Sequence, residues 1–436
     1  MNSPPSREQT ATRRGALDDP PAIVLGGTVT ALSVARSLWE AGVEVHVLDR
    51  HDSPARVSRQ RASFVDVGGP DMQGSMLDWL DSAPAGAVVL TGSDDGLELI
   101  ARHGAELAGR GLRPMEADGE VLLTMLDKQR TYEIAASHGI GIPRTIHLRT
   151  VADAKEVADE ISYPCLLKPN HAHLFRLRTK SDAKAIIPGS AEELVGELER
   201  LEGLDVEMLL TEVICGVDDE FVSYYSYIDE EGASLLSFTK RKIRQYPPGF
   251  GIGTFHATTH DPEVAELGRR FFEAAGLRGL GNVEFKRDGR DGQLKLIECN
   301  ARFTASNELI RRSGVDLAQF SYNRLLGRPT PGVDSYRDDL HLWEPVNDTR
   351  AFLVYRRRGE LTLSGWARSV ARRQVFPVAR LSDPLPAIVR HVGKLKRMHS
   401  RGDGGQAPPS TGPSGIGIAS VVSKPAHSAA SQDGSS

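Results

Sequence analysis

The sequence predicts an α/β and α+β chain, with a parallel βαβ unit first and a strand-rich module after it. Residues 21–115 alternate short β-branched apolar runs with stretches of helical spacing, the pattern of a parallel sheet with right-handed crossovers. Residues 207–300 hold strand-like runs in close succession, broken by one helix. The last of these runs ends in an alternation of Glu and Asn, beside a further Glu on the run before it.

AIVLGG (22–27) reads as a short strand ending in a glycine turn. TALSVARSLWEAG (30–42) has helical spacing, with Leu32, Ala35, Leu38 and Trp39 on one face and Gly42 as its stop. VEVHVLD (43–49) is the next strand, and FVDVGG and AVVLTG supply two more, each followed by a helical stretch. Residues 120–205 hold two helices, then the apolar strand PCLLKP (164–169) and the helix AEELVGELERLE (191–202). EMLLTEVI, EFVSYYSYI, ASLLSFTKRKI, TFHATTH, GNVEFKRD and LKLIECN are the strands of 207–300. The helix among them is PEVAELGRRFFEAAGL (262–277), with Pro262 suited to its first turn. SNELIRRSG and DLAQFSYNRLLG close the module as helices. From 335 to 397 the pattern weakens. WEPVNDTRAFLVYRRRGELTLSGWARSV reads as a strand and a helix, and LSDPLPAIVRHVGKLKRM as a loop and a basic helix.

Composition narrows the function classes. With 40% apolar and 25% charged residues, the 436-residue chain reads as soluble and globular, with about three domains' worth of length. No run approaches the length of a membrane span, and the N-terminus lacks an apolar signal core. Residues 1–20 and 401–436 contain no aromatic residue, and Gly, Pro and Ser dominate the second stretch, so both are expected to be disordered. Cys165, Cys215 and Cys299 fit neither a disulfide framework nor a zinc pattern, and are expected as buried thiols in a reducing cytoplasm. The net charge is −5, yet residues 350–400 carry 12 Lys/Arg against 2 Asp/Glu. Such a stretch packs on an acidic body or meets an anion.

The glycine turn invites a dinucleotide reading, because Asp49 lies 22 residues after Gly27, where a ribose-binding acid belongs. The pattern is G-G-T-V-T-A, however, without the glycine that lets a pyrophosphate approach the backbone. A tight βα turn explains it better.

The acids carry more. On the strand 294–300 side chains alternate, so Glu298 and Asn300 share one face and Ile297 and Cys299 the other. Glu284, on the preceding strand, can lie beside Glu298. Two carboxylates and an amide oxygen are hard ligands suited to Mg²⁺. Without a cation or a basic side chain, such a face among apolar neighbours is costly. Lys128 begins a helix and Lys168 ends an apolar strand, where it can carry its charge into a cleft. With a Mg²⁺ face downstream, the two lysines point to a nucleotide polyphosphate.

The ordered set DK (127–128), GIP (141–143), LLKP (166–169), TEVICGVDDEF (211–221), GNVEF (281–285) and IECNARF (297–303) resembles the ATP-grasp family across residues 22–328. The resemblance implies a Rossmann-like N-terminal domain (21–118) and a two-lobed ATP-grasp module (119–205 and 206–328). A basic C-terminal extension (329–400) would follow. It implies that Lys128 and Lys168 contact ATP phosphates, that Glu212, Val213 and Ile214 form the adenine-binding hinge, and that Glu220 binds the ribose. Glu284, Glu298 and Asn300 then hold Mg²⁺, or Mn²⁺ in its place, and Arg302 stabilises the substrate carboxylate or acyl phosphate.

Two stretches depart from the family pattern. The phosphate-covering loop after Lys168 reads PNHAHLFRLRTK, without glycine, so His171, His173, Arg176 or Lys180 would have to contact phosphate by side chain. In TKRKIRQYPPGFGIGTF (239–255), strand alternation separates Lys240, Lys242 and Arg244 from Arg241. One lysine, assigned as Lys242, is expected to face the γ-phosphate, and the glycine loop to border the acceptor site. This stretch and the C-terminal segment from WEPVND to LSDPLP resemble the bacterial carboxylate–amine ligases.

The implied activity is ATP-dependent ligation in the cytoplasm, in which a carboxylate is phosphorylated and the acyl phosphate is captured by an amine. Small-molecule substrates are the expected partners, with no nucleic acid. A dimer and a contact of 350–400 with anionic lipid or a lipid-linked substrate are further expectations. The alternatives are bicarbonate or a thiol as acceptor, a nicotinamide-dependent oxidoreductase built on the first βαβ unit, and a non-catalytic nucleotide-binding scaffold.

Overall fold

The computed structural model describes residues 19–115, 118–179, 181, 185–333, 335–390 and 392. The disorder expected for 1–20 and 401–436 lies outside these residues, Asp19 and Pro20 apart.

Five parallel strands open the chain: β1 (Ala22–Leu25), β2 (Val45–Asp49), β3 (Ser63–Asp66), β4 (Val88–Thr91) and β5 (Arg113–Pro114). Their order is β3-β2-β1-β4-β5. β1 and β4 are buried throughout, as strands covered on both faces must be, which is why they read as unbroken apolar runs. Helix α1 (Val29–Glu40) is buried at every position from Thr30 to Leu38. It is enclosed by the sheet on one side and by the helices Asn307–Ser313 and Leu317–Leu325 on the other. Trp39, expected on the inner face, is 38% exposed. A helix covered all round gives no single apolar stripe, so spacing could not place its last turn.

Strand order reverses between β1 and β4, which brings the turns 26–28 and 92–94 together at the strands' carboxyl ends. Gly27, at φ +105°, sits so close that a Cβ would lie 2.8 Å from the backbone of Gly92. The glycine pair therefore serves a tight turn against a neighbouring turn.

A second sheet is antiparallel and has three strands, β6 (Thr145–Leu148), β7 (Cys165–Pro169) and β8 (Met208–Glu212), in the order β6-β8-β7. Leu194, Leu198 and Leu201 of the helix Ala191–Leu201 close its core against Leu148, Leu167 and Leu210. Two elements here differ from the sequence reading. β6 is an added strand, and the expected loop after Lys168 is the helix Ala172–Thr179.

The third sheet has seven strands in the order β13-β12-β9-β10-β11-β14-β15. They are β9 (Phe221–Ile228), β10 (Ser234–Tyr246), β11 (Ile252–Thr259), β12 (Gly279–Arg287), β13 (Leu294–Asn300), β14 (His341–Trp343) and β15 (Gln374–Val375). The helix Pro262–Ala274 covers one face, and Gly268 lets it approach the ring of Tyr224.

The C-terminal extension is not a separate appendix. Its strand β14 pairs with β11, Phe255 opposite Trp343, and so prolongs the large sheet. One strand and two helices, Pro345–Arg357 and Leu363–Val370, occupy the stretch read as one strand and one helix. Asp348 is fully buried and binds Arg244 twice, Nε at 2.8 Å and Nη2 at 2.9 Å. It also accepts from Thr254 and from the indoles of Trp343 and Trp366, each at 3.0 Å. The chain then returns to the first unit, where Asp383 meets Arg36 at 2.9 Å and Arg380 meets Glu308 at 2.9 Å. These contacts place part of the basic stretch on an acidic body. The basic helix expected through Met398 lies outside the described residues beyond Val392.

Candidate active site

Directly opposed residues of antiparallel strands point to the same face. In the large sheet Asn282 opposes Asn300 and Glu284 opposes Glu298. Tyr225 and Ser223 continue the two rows on β9. Lys240 opposes Ser223 and Lys242 opposes Phe221. Thr258 and His256 end the rows on β11. One face of the sheet is therefore polar across five strands, while Val283, Phe285 and Tyr224 on the reverse face are buried in the core. A bulge on β13 takes up Ile297, whose carbonyl accepts from the Tyr132 hydroxyl at 2.9 Å.

The polar face neutralises itself. Lys242 Nζ lies 2.8 Å from Glu284 Oε1 and 3.9 Å from the centroid of Phe221. Lys240 Nζ donates to Ser223 Oγ at 3.1 Å. His256 is buried beside both lysines, and burial, then Lys240 and Lys242, hold it well below the usual histidine range. Lys286 donates to the carbonyls of Ile214 (2.8 Å) and Gly216 (3.0 Å). As alternation predicts, Lys240, Lys242 and Arg244 are buried and Arg241 is exposed. Arg244, however, is committed to Asp348.

Facing this sheet are two lysines, one on a helix of the main core and one on the three-stranded sheet. Lys128 is the first residue of the helix Lys128–Ser137, and its Nζ donates to Asn170 O at 3.2 Å. Lys168 is half-buried on β7. Burial, followed by the charge of Lys128, pushes it down to about 8, while Glu298 and Glu284 pull the other way. A cleft of about 40 Å³ lies here, lined by Asp94, Lys128, His173, Glu298 and Asn300 among others. A larger cavity of about 250 Å³ around Phe175, Arg178 and Glu207 touches neither Lys168 nor the glutamates.

Glu284, Glu298 and Asn300 offer two carboxylates and an amide. Asn300 donates its amide nitrogen to Asn282 Oδ1 at 3.2 Å, leaving its oxygen as an acceptor. Among the described residues no three His, Cys, Asp or Glu side chains form a metal cluster, so a cation here would need the amide as its third ligand. Ile214 is buried and Val213 half-buried at the end of β8. The Glu212 carboxylate meets Arg290 at 2.7 Å and the Arg144 N–H at 2.9 Å. Glu220 is half-buried at the end of a short 3-10 turn. Arg302 pairs with Asp94 of the first unit at 2.6 Å. Burial works against the Asp94 carboxylate, but Arg302 and then Lys128 outweigh it and hold it at about 2.

Of the side chains expected to replace a glycine loop, His173 lies 2.8 Å from Glu98 and Arg176 lies 2.6 Å from Asp95. Both pair with acids of the helix Asp94–Gly109, and His173 also lines the cleft. His171 lies 3.6 Å from Asp127, and Lys180 is outside the described residues. Sequence reading missed Asp94, Asn170 and Lys286. Lys286 was within reach of the alternation argument, two residues after Glu284. Asp94 and Asn170 depend on contacts between distant segments.

The nicotinamide reading fails on Asp49. It is 1% exposed, and its carboxylate caps the N–H groups of Thr28 and Arg50, both at 2.8 Å. It cannot also hold a ribose.

No family model matches the chain. In sequence it is 26% identical to the D-aspartate ligase of Enterococcus faecium, over 60% of this chain and 65% of that protein. It is 26% identical to the arginine-specific carbamoyl phosphate synthase large chain of Neurospora crassa, over 47% of this chain and 18% of that one. It is also 26% identical to the D-alanine–D-alanine ligase of Chromohalobacter salexigens, over 55% and 74%. The chain thus spans less than two thirds of the first two relatives. Among solved structures it is similar to an N5-carboxyaminoimidazole ribonucleotide synthetase in complex with ADP, at TM-score 0.56 and 15% identity, over 72% of this chain and 80% of that one. The biotin carboxylase domain of Hydrogenobacter thermophilus 2-oxoglutarate carboxylase gives 0.55 and 19%, over 73% of each chain.

Proposed function

We propose that this chain, which resembles ATP-grasp ligases in sequence and shares their fold, is an ATP-dependent ligase joining a carboxylate to an amine. The observation that supports it best is the strand register, which lines Glu284, Glu298 and Asn300 on one face opposite Lys128 and Lys168. In this reading residues 21–118 are a Rossmann-like domain whose β1/β4 reversal faces the substrate, and 119–205 and 206–328 are the lobes that hold ATP.

The residues suit those ligands. Lys128 and Lys168 crowd two cations at one place, an arrangement a polyphosphate relieves. Glu284, Glu298 and Asn300 would hold Mg²⁺, or Mn²⁺, through hard oxygens. When bound, the metal neutralises charge developing on the phosphoryl oxygens. Lys242 brings an ammonium to the same face and Arg302 a guanidinium, each kept in place by a carboxylate. The backbone of Val213 and Ile214 would read the adenine and Glu220 the ribose. Phosphorylating the carboxylate gives it a leaving group, and the amine displaces phosphate to form the amide. A closed cleft keeps water from the acyl phosphate. Free, partly buried thiols fit a reducing cytoplasm, and no helix among the described residues is long and apolar enough to cross a membrane.

An ADP-release screen over amino acids and hydroxy acids, with product mass, tests the reading. Glu298→Ala is expected to abolish ADP formation. Near-normal turnover in that variant removes the metal assignment, and ADP formed from bicarbonate without any amine moves the chain to another acceptor class.

A further inference from the structure

Lys286 is a buried ammonium outside the phosphate and metal sets. It is 6% exposed and shares a face of β12 with Glu284, two residues before it. Its two hydrogen bonds both go to carbonyls of the segment after β8, Ile214 O at 2.8 Å and Gly216 O at 3.0 Å. The carbonyl between them, Cys215 O, accepts from the Gly289 N–H at 3.1 Å. Lys286 also lies 5.1 Å from the centroid of Phe221, whose ring takes Lys242 at 3.9 Å. A mere filler at this place needs no charge. Burying an ammonium without a paired carboxylate costs more than burying an apolar side chain of similar length.

The consequence falls on the other edge of that segment. Three successive carbonyls are held by β12 and the turn after it. Among the described residues the N–H groups of 213–216 donate to no protein acceptor. The edge left for a base is therefore a donor edge. N1 of a 6-aminopurine is an acceptor and meets such an edge. A 6-oxopurine carries N1–H instead, so two donors would face each other. The backbone escapes that mismatch only by flipping a peptide, which turns its carbonyl toward the base. Lys286 opposes the flip by holding the carbonyls on both sides of Cys215. We propose that Lys286 is a positioning residue that sets base selectivity, keeping these carbonyls turned away so that the site takes a 6-aminopurine nucleotide over a 6-oxopurine one. The inference rests on the reading of 119–328 as the lobes that hold ATP, and gives Lys286 no part in the chemical step.

Isothermal titration of the full chain with ATP and with ITP, each with Mg²⁺, tests it. ATP is expected to bind about a hundredfold tighter or more, as a site built on hydrogen bonds discriminates. Lys286→Met, similar in length but without donors, should narrow that ratio about tenfold. Lys286→Arg keeps more than one donor and should retain the preference. Should the Met variant fail to fold, Lys286→Gln, which reaches one carbonyl, should narrow the ratio about threefold. A lysine that only supports the fold would weaken both nucleotides equally and leave the ratio unchanged. That result, or a wild-type ratio near one, overturns the inference while ATP binding stands. A wild-type chain that binds neither nucleotide overturns the ATP reading and the inference together.

Discussion

Lys168 offers the sharpest test of the phosphate assignment. Its ammonium is pushed down to about 8, first by burial and then by Lys128. If it contacts a phosphate, the free protein's affinity for ATP must fall as pH rises through that value. The charged fraction is about nine tenths at pH 7, half at pH 8 and one tenth at pH 9. The apparent dissociation constant therefore rises about tenfold between pH 7 and pH 9. Lys168→Arg keeps its charge throughout and should flatten the profile. Isothermal titration of ATP with Mg²⁺ at constant ionic strength isolates binding from the ionisation of the substrate amine. A change of less than about twofold across this range, or an equal slope in the variant, refutes the reasoning. The same depression has a sign for stability. Above pH 8 the unfolded chain holds the proton more firmly, so this lysine's contribution to stability rises with pH from about 8 to about 10.

Three further outcomes follow from the packing. Asp348→Asn leaves the guanidinium of Arg244, itself 4% exposed, without its counter-charge. It should cost about 3–5 kcal/mol in urea denaturation, and a loss below 1 kcal/mol would contradict the buried pair. Gly27→Ala forces a side chain to φ +105° with its Cβ 2.8 Å from the Gly92 backbone, and should lose about 2 kcal/mol, read as a lowered melting temperature. Glu98→Gln removes the charge that holds His173, which should speed nucleotide association several-fold in stopped flow. An unchanged association rate would mean that the contact does not restrain the cleft.

The strands of 207–300 were legible because their apolar alternation is long and the bulge on β13 falls at Ile297, before Glu298 and Asn300. That alternation also anticipated that Glu298 and Asn300 share a face and that Lys240 and Lys242 separate from Arg241. β6 was not legible, since four residues with half-buried Thr145, Ile146 and His147 carry almost no alternation. The helix 172–179 was read as a loop because comparison with a glycine-rich loop set the expectation, although its own residues include no breaker. β14 is three residues long and takes its identity from β11, its neighbour in the sheet. The orientation of Glu212 was likewise set by Arg290, 78 positions away.

The helix Asp94–Gly109 makes sense of the narrow cleft. Its first turns hold Asp94, Asp95 and Glu98, and these acids grip two different elements. Asp94 takes Arg302, which follows the acidic strand of the large sheet. Asp95 and Glu98 take Arg176 and His173 of the small lobe. The first unit thus ties both walls of the cleft to one helix start, where its dipole opposes none of these carboxylates. The cleft of about 40 Å³ at this helix start is lined from all three sides, by Asp94, by Ala172 and His173, and by Glu298 and Asn300. If nucleotide enters by parting of the segment 172–179 from this helix, the His173–Glu98 and Arg176–Asp95 pairs are what must break. The Arg302–Asp94 pair lies on the other wall and can survive that motion. The first unit would then stay fixed to the large sheet, and the small lobe, carrying Lys168, would be the part that moves.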